Sequence, residues 1–337
     1  MTRHDDSRDR RSSGGERLRR RLGFAVKVVG RPGLKSNDAR RWRSDPHLQV
    51  SLDYLRAILD YLEEIDVRMY RMSSDFVPYA THPDLPRFHG QIRECAEELA
   101  EVGAVARGRA IRLSLHPSQY VVLNAEDPEI RAKSVADVES QAKLLDALEQ
   151  GPEAVVVLHL GGAYDDREAA LGRFVASVEK LSEPGRRRLV VENDETLYTV
   201  EDCLRVHEQT GLRVVFDHHH HRLNPGGLSS AEALGAALAT WSDGVVPKVH
   251  FSSPRLDARQ VKRRGKLVEV APLLSQHADY VNPWEFAGLL GDLGERACDV
   301  MLEAKRKDLA LLKLRADLSK LGLGKLREDG VMPTGTA

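Results

Sequence analysis

The sequence predicts one (β/α)₈ barrel, the TIM-barrel class of α/β fold. Two observations carry that prediction. From Leu22 nearly to the C-terminus, apolar strand-like runs alternate with amphipathic helical patterns, eight of each, which is the signature of a parallel sheet joined by helical crossovers. The third to eighth of those runs each carry His, Glu or Asp at or one residue before their end, and the strand ends are where this fold keeps its working residues. A doubly wound open sheet is the competing class, but no GxGxxG turn follows the first strand to cradle a dinucleotide.

The strands expected in order are Leu22–Val29, Val67–Ser73, Ile111–His116, Ala154–Leu160, Leu189–Glu192, Arg213–Asp217, Pro247–Phe251 and Val300–Glu303. Near-continuous apolar character suits strands buried on both faces. Helices are expected near 50–63, 87–106, 128–149, 167–182, 199–210, 229–241, 283–295 and 307–320. The first shows the rule plainly, because Leu52, Leu55, Ile58, Leu59 and Leu62 recur at three- and four-residue spacing along one face. The barrel is expected to fill residues 21–320, between a basic tail over 1–20 and a flexible tail over 321–337. Met1–Arg21 carries eight arginines against four acids and no hydrophobic signal core.

Composition narrows the class further. The chain has 337 residues, 42% hydrophobic and 30% charged, with a net charge of -1, enough to bury a large core but not a uniformly basic coat for nucleic acid. Cys95, Cys203 and Cys298 form no CxxC pair and are odd in number, so neither a disulfide framework nor a thiolate zinc site is indicated. No apolar run approaches a membrane span. The expectation is a cytoplasmic protein with no membrane contact and no obligate protein partner.

Taken singly, each polar strand end has a plain explanation as a hydrogen-bonded edge residue or an ion-pair member. Together they do not. His116, His159, Glu192, Asp217, His250 and Glu303 close six successive strands, and burying so many ionisable groups in one mouth is costly without a compensating cation. Adding His220 and His277 gives five histidines and three carboxylates, more than one tetrahedral ion can use, so two or three divalent ions are expected. The carboxylates favour Mn²⁺ first and Zn²⁺ or another divalent metal second. The run Arg213-Val214-Val215-Phe216-Asp217 followed by His218-His219-His220-His221 reads as a buried strand delivering these groups to a loop.

The motifs that hold these residues are specific. They are Pro78-Tyr79-Ala80-Thr81-His82-Pro83, His116-Pro117-Ser118-Gln119-Tyr120, His159-Leu160-Gly161-Gly162-Ala163-Tyr164, Glu192-Asn193-Asp194, Asp217-His218-His219-His220-His221, Pro247-Lys248-Val249-His250, His277-Ala278-Asp279-Tyr280 and Glu303-Ala304-Lys305. From about Arg21 to Leu318 the chain resembles the UV damage endonucleases, relatives of endonuclease IV among the xylose-isomerase-like barrels. The resemblance implies a metal-dependent enzyme that nicks duplex DNA immediately 5′ to UV photoproducts, cyclobutane pyrimidine dimers and 6-4 photoproducts, leaving a 3′-hydroxyl and a 5′-phosphate. It also implies a division of ligands. His116, His159 and Glu192 would serve one ion; Glu192, Asp217, His250 and Glu303 a second; His220 and His277 a third. Glu192 would bridge, and Glu192 with Lys248 would be catalytic.

Strand alternation puts Lys248 on the same face as His250, where an ammonium would repel the ions. It is expected neutral, carbamylated into a further carboxylate, or salt-bridged to Glu192 or Asp217 near the barrel floor. By the resemblance, Gln119 and Tyr120 enter the duplex opposite the lesion, and Tyr79 and His82 face it. The alternative for Tyr120 is that it packs its own loop. Arg263 and Arg264 belong to a basic loop with Arg255, Arg259, Lys262 and Lys266, suited to DNA phosphates. Arg40, Arg41 and Arg43 around Trp42 make a weaker patch.

In the first strand, Phe24 and Val28 stand where the family carries Tyr and Asn. An apurinic-site endonuclease would share the metals but prefer an abasic gap, and a sugar isomerase would need neither the basic loop nor the Gln119–Tyr120 pair.

Overall fold

The structure, a computed structural model, describes residues 20–323 and the backbone of Val331–Met332. Eight parallel strands form the barrel: β1 (Arg20–Ala25), β2 (Met69–Arg71), β3 (Arg112–Ser114), β4 (Val156–His159), β5 (Leu189–Glu192), β6 (Arg213–Asp217), β7 (Lys248–Phe251) and, eighth, β10 (Asp299–Leu302). Their order is β3-β2-β1-β10-β7-β6-β5-β4. Leu115 closes the ring by bridging to Val156, with Leu115 N–H donating to Val155 O and Val157 N–H donating to Leu115 O, each at 3.0 Å. An antiparallel hairpin, β8 (Arg259–Arg263) and β9 (Lys266–Val270), stands apart from the barrel sheet, and β11 (Val331–Met332) pairs antiparallel with Arg20–Arg21.

The helices are α1 (Leu48–Glu64), α2 (Gln91–Glu94), α3 (Ala96–Gly108), α4 (Pro128–Ala147), α5 (Arg167–Val178), α6 (Glu183–Arg188), α7 (Val200–Thr210), α8 (His218–Leu223), α9 (Ser230–Ala239), α10 (Pro283–Leu293) and α11 (Lys307–Lys320). Local signals fix their starts. Thr199 and Asp202 form a capping box on α7, Ser229 and Glu232 another on α9, and Asp127 caps α4 ahead of Pro128; each cap satisfies an orphan N–H and contributes about 1 kcal/mol.

Alternation along the strands builds two layers. Leu22, Phe24, Val156, Leu158, Val191 and Val214 join the main core beneath the helices. Their neighbours form two small clusters inside the barrel, Ala25 with Met69 and Met301, and Val155, Val157, Val190 and Val215 with Trp241. The barrel floor is polar and paired: Arg112 meets Asp299 at 2.8 Å with both side chains buried, and Arg21 reaches Asp299 at 3.0 Å and Glu153 at 2.7 Å.

Several boundaries differ from expectation. The first strand stops at Ala25 because Val26 turns into the left-handed region at φ 64°. Arg20, placed in the basic tail, is buried in β1, where its guanidinium donates to the carbonyls of Gly294 and Arg296; the rest of that tail lies outside the described residues. Of the expected C-terminal tail, Leu321–Leu323 and the two residues of β11 are described. The helix expected over 87–106 is broken into α2 and α3 at Cys95, and that over 167–182 ends at Val178. The histidine run is not a loop but the short helix α8, because the Asp217 side chain accepts from His220 N–H and starts a helical turn at the strand end. The expected basic loop is the hairpin of β8 and β9.

Candidate metal centre and nucleic-acid face

β3, β4, β5, β6, β7 and β10 deliver His116, His159, Glu192, Asp217, His250 and Glu303 to one mouth, each within two residues of its strand end. Register explains the convergence. His159 is level with Glu192, and Asp217 with His250, so side chains with the inward pleat meet at the same height. Gly161, at φ 98°, lets the chain turn away after His159; a Cβ there would strike the Asn124 side chain. Asn124 Nδ2 and the Tyr198 hydroxyl both donate to Gly162 O, at 2.7 and 3.0 Å, and hold that turn.

Glu192 is the centre of the constellation. Fully buried, it has His250 Nδ1 2.6 Å from Oε1, and His116 Nε2 and His159 Nε2 at 3.1 and 3.6 Å from Oε2. Two groups of donors close enough to share an ion result, His116–His159–Glu192 and Glu192–Asp217–His250, with Glu192 common to both. Glu303 lies at the edge, with Oε1 3.5 Å from His250 and Oε2 3.7 Å from His277 Nε2. His277 Nδ1 is 2.5 Å from the Ser252 hydroxyl. His220 packs against His159 at 5.5 Å and His277 at 6.1 Å between ring centres.

The electrostatics are those of a site built for positive charge. Burial raises Glu192, but the imidazoles of His250 and His159 and the hydrogen bonds from His116 and His250 outweigh it and hold the carboxyl well below the usual range. Burial pushes Asp217 up to about 7, with Glu192 and Glu303 adding repulsion. For His220, burial pulls down, yet Asp217, Glu192, Glu303 and Glu195 together lift it to about 9. Burial holds His250 and His277 down to about 4, so both are neutral donors at neutral pH. Asp217 Oδ2 and His250 Nε2 are buried without a hydrogen-bond partner among the described residues. Unpaired buried acceptors and neutral imidazoles around an ionised carboxylate fit a divalent cation.

Lys248 is fully buried two residues below His250, where its Nζ donates to Ser114 Oγ at 3.2 Å. Burial, then the nearby Arg112 and Arg71, drive its ammonium well below the ordinary lysine range. A salt bridge to Glu192 or Asp217 is not present among the described residues. Phe24 faces the helix layer, edge-on to Tyr70 at 5.6 Å, and Val28 packs on the main core, so neither points into the mouth.

Around the rim, Gln119 and Tyr120 are exposed, Tyr120 at 79%, so Tyr120 does not pack its own loop. Tyr79 is half-buried against Phe88 and His82 and accepts from Trp42 N–H; both Tyr79 and His82 line a cavity of about 510 Å³ between the loops after β1 and β2 and α4. Arg263 and Arg264 lie at the exposed tip of the hairpin. Its root is pinned by the bridge of Pro254 to His277, which ties the arm to the histidine beside Glu303. Arg40 pairs with Asp38 at 2.6 Å, while Arg43 stacks over Trp42 at 5.1 Å. One cation at the mouth escaped the sequence reading: Arg71, at the end of β2, forms an ion pair with Glu303. Its place two residues after the inward Met69 was the available signal.

The family model described as UV-endonuclease UvdE matches residues 47–327. The chain belongs to the UV-endonuclease UvdE family. It is accordingly a hydrolase of the nuclease class, a DNA repair endonuclease. Among curated UvdE relatives, the "UV DNA damage endonuclease" of Bacillus velezensis is 34% identical over 302 residues, covering 87% of this chain and 89% of that protein. Among solved structures, SacUVDE matches with a TM-score of 0.75 and 27% identity over 90% of this chain and 99% of that one. Endonuclease IV from Thermus thermophilus shares the fold, with a TM-score of 0.54 and 19% identity over 89% of this chain and 99% of that one. No helix among the described residues is long and apolar enough to cross a membrane.

Proposed function

We propose that this UvdE-family chain is a metal-dependent endonuclease that hydrolyses the phosphodiester immediately 5′ to cyclobutane pyrimidine dimers and 6-4 photoproducts, leaving a 3′-hydroxyl and a 5′-phosphate. Its setting is the cytoplasm, on UV-damaged double-stranded DNA, with no obligate protein partner. The observation that carries this is the sharing of one buried carboxylate, Glu192, between two donor groups at the barrel mouth.

His116, His159 and Glu192 would hold one ion, Glu192, Asp217, His250 and Glu303 a second, and His220 with His277 a third; Mn²⁺ suits the three carboxylates best, with Zn²⁺ next. Such ions, when bound, supply the positive charge that activates water and stabilises the departing oxygen in phosphodiester hydrolysis. The chain's own groups do the rest. Glu192 keeps the two donor sets at fixed separation, because its carboxylate is buried and hydrogen-bonded from both sides. Lys248, whose ammonium form burial disfavours, can take up carbon dioxide and lose a proton, giving a carbamate that adds a carboxylate to the mouth. Gln119 and Tyr120 project from the rim, free to fill the space left by a displaced photoproduct. Tyr79 and His82 border the lesion, and Arg263 and Arg264 hold flanking phosphates.

The test is nicking of an end-labelled duplex with one cyclobutane dimer, beside undamaged and abasic duplexes, with Mn²⁺ or chelator. Metal-dependent cutting directly 5′ to the dimer is expected. Cutting of the abasic duplex alone would move the chain to apurinic-site endonucleases, and no cutting with metal bound would remove DNA as substrate.

A further inference from the structure

The two barrel strands that supply no metal-ligand candidate, β1 and β2, are neighbours, and β10 lies beside β1. What those strand ends present instead is positive charge. β2 ends in Arg71, Lys27 follows β1 by two residues, Lys305 lies between β10 and α11, and Lys307 is the first residue of α11. Lys27 and Lys305 are exposed and Lys307 half-buried, and none of the three lysines has an ion-pair partner among the described residues.

The segments carrying them are fastened together. The buried Asp308 carboxylate accepts from Val29 N–H at 2.7 Å, Gly30 N–H at 2.8 Å and the Tyr61 hydroxyl at 2.7 Å, tying the chain just after Lys27 to the residue just after Lys307. Val26 N–H donates to Arg71 O at 2.8 Å, fixing Lys27 beside β2. Val26 and Lys307 both sit at positive φ, 64° and 52°, a strained conformation for a side-chain-bearing residue that persists only where the surroundings enforce it. Lys307 is lowered to about 8, first by burial, then by repulsion from Arg71, with Lys305 and Lys27 also repelling and Glu303 alone attracting. Arg71, Lys305 and Lys27 thus lie close enough to Lys307 to repel its ammonium, and Arg71 pairs with Glu303.

Neutralisation within the protein does not account for this arc, because Arg71 alone answers Glu303. Continuity gives it a ligand. Lys305 N–H donates to Ala278 O, and Ala278 N–H donates to Ser253 O at the root of the basic hairpin. Around the rim the sequence is therefore Tyr120 after β3, Arg71, Lys27, Lys305 with Lys307, and the arm after β7: a positive track from the exposed Tyr120 to the hairpin.

We propose that Lys27, Arg71, Lys305 and Lys307 form a phosphate subsite that binds the backbone of the DNA strand as it crosses the β2–β1–β10 side of the mouth. This rests on the reading of the chain as a DNA endonuclease. The lysines act as point charges on phosphate oxygens, and Arg71 spans from Glu303 to the strand.

The experiment measures binding of the full chain, in chelator, to a duplex with one cyclobutane dimer by fluorescence anisotropy across a salt series. In log–log form each phosphate contact contributes a slope of about 0.9. The double variant Lys27→Gln, Lys305→Gln is expected to flatten the slope by roughly 2, while Lys180→Gln, at an exposed lysine just past the end of α5, leaves it unchanged. A wild-type slope in the double variant, or equal flattening by Lys180→Gln, overturns the subsite while the endonuclease reading stands. Absence of salt-dependent duplex binding by the wild type overturns both.

Discussion

His250 Nδ1 lies 2.6 Å from Glu192 Oε1 with both side chains fully buried, while the other carboxylate oxygen faces His116 and His159. One carboxylate thus links two imidazole groups that come from opposite arcs of the mouth.

Glu192→Gln keeps the shape and removes the charge, leaving His250 and His116 without their carboxylate. We expect nicking to fall by at least 10³-fold and bound metal per chain, read by elemental analysis, to drop by more than one ion if both groups load. Wild-type stoichiometry in the variant would remove Glu192 from the bridging role.

Asp217, raised to about 7, and His220, raised to about 9, both carry a proton at pH 6 in the metal-free chain. A ligand must shed its proton. Metal binding at pH 6 is expected to release protons from both groups, and at pH 8 from His220 alone, so titration calorimetry in buffers of different ionisation enthalpy should find about one proton fewer at the higher pH. Equal release at the two values would contradict the assignment of Asp217. The same shifts have a sign for stability. Because the folded-state value of Asp217 lies above its unfolded one, its contribution is present below about pH 4 and lost as pH rises through 7. His250 and His277, lowered to about 4, act oppositely: their contribution is present above about 6.5 and lost as pH falls through 4.

Tyr120 is 79% exposed and supports no core contact. Tyr120→Ala should therefore leave the thermal midpoint unchanged and reduce the preference for damaged over intact duplex by about tenfold, the scale of one lost stacking contact. Unchanged discrimination would take Tyr120 out of lesion recognition.

Asp308→Ala deletes the acceptor that two backbone N–H groups and the Tyr61 hydroxyl use among the described residues. A loss of about 2–4 kcal/mol in denaturant unfolding is expected. A smaller loss would mean that the loop after β1 repacks without it.

The half of the mouth lined by histidines and carboxylates was legible in the sequence because its residues end strands whose apolar alternation is plain: Val190 then Glu192, Val215 then Asp217. The hairpin was not, since Arg259–Val270 is exposed on both faces and carries no buried period. Helix α8 was hidden for a different reason. Six residues are too few to show a helical repeat, and four imidazoles in a row read as a loop until Asp217 is seen capping them. The cations of the opposite half stand at positions 27, 71, 305 and 307, and become one group only when β1 pairs with both β2 and β10.

Glu192 and Asp217 lie at the centre of the mouth and Glu303 at its edge, where Arg71 pairs with it. A polyanion approaching that surface meets like charge at the one place where it must come closest. The order of assembly follows: counter-charge must reach the centre before nucleic acid can settle over it, and chain stripped of divalent ions should engage DNA by its rim while holding the strand away from the middle.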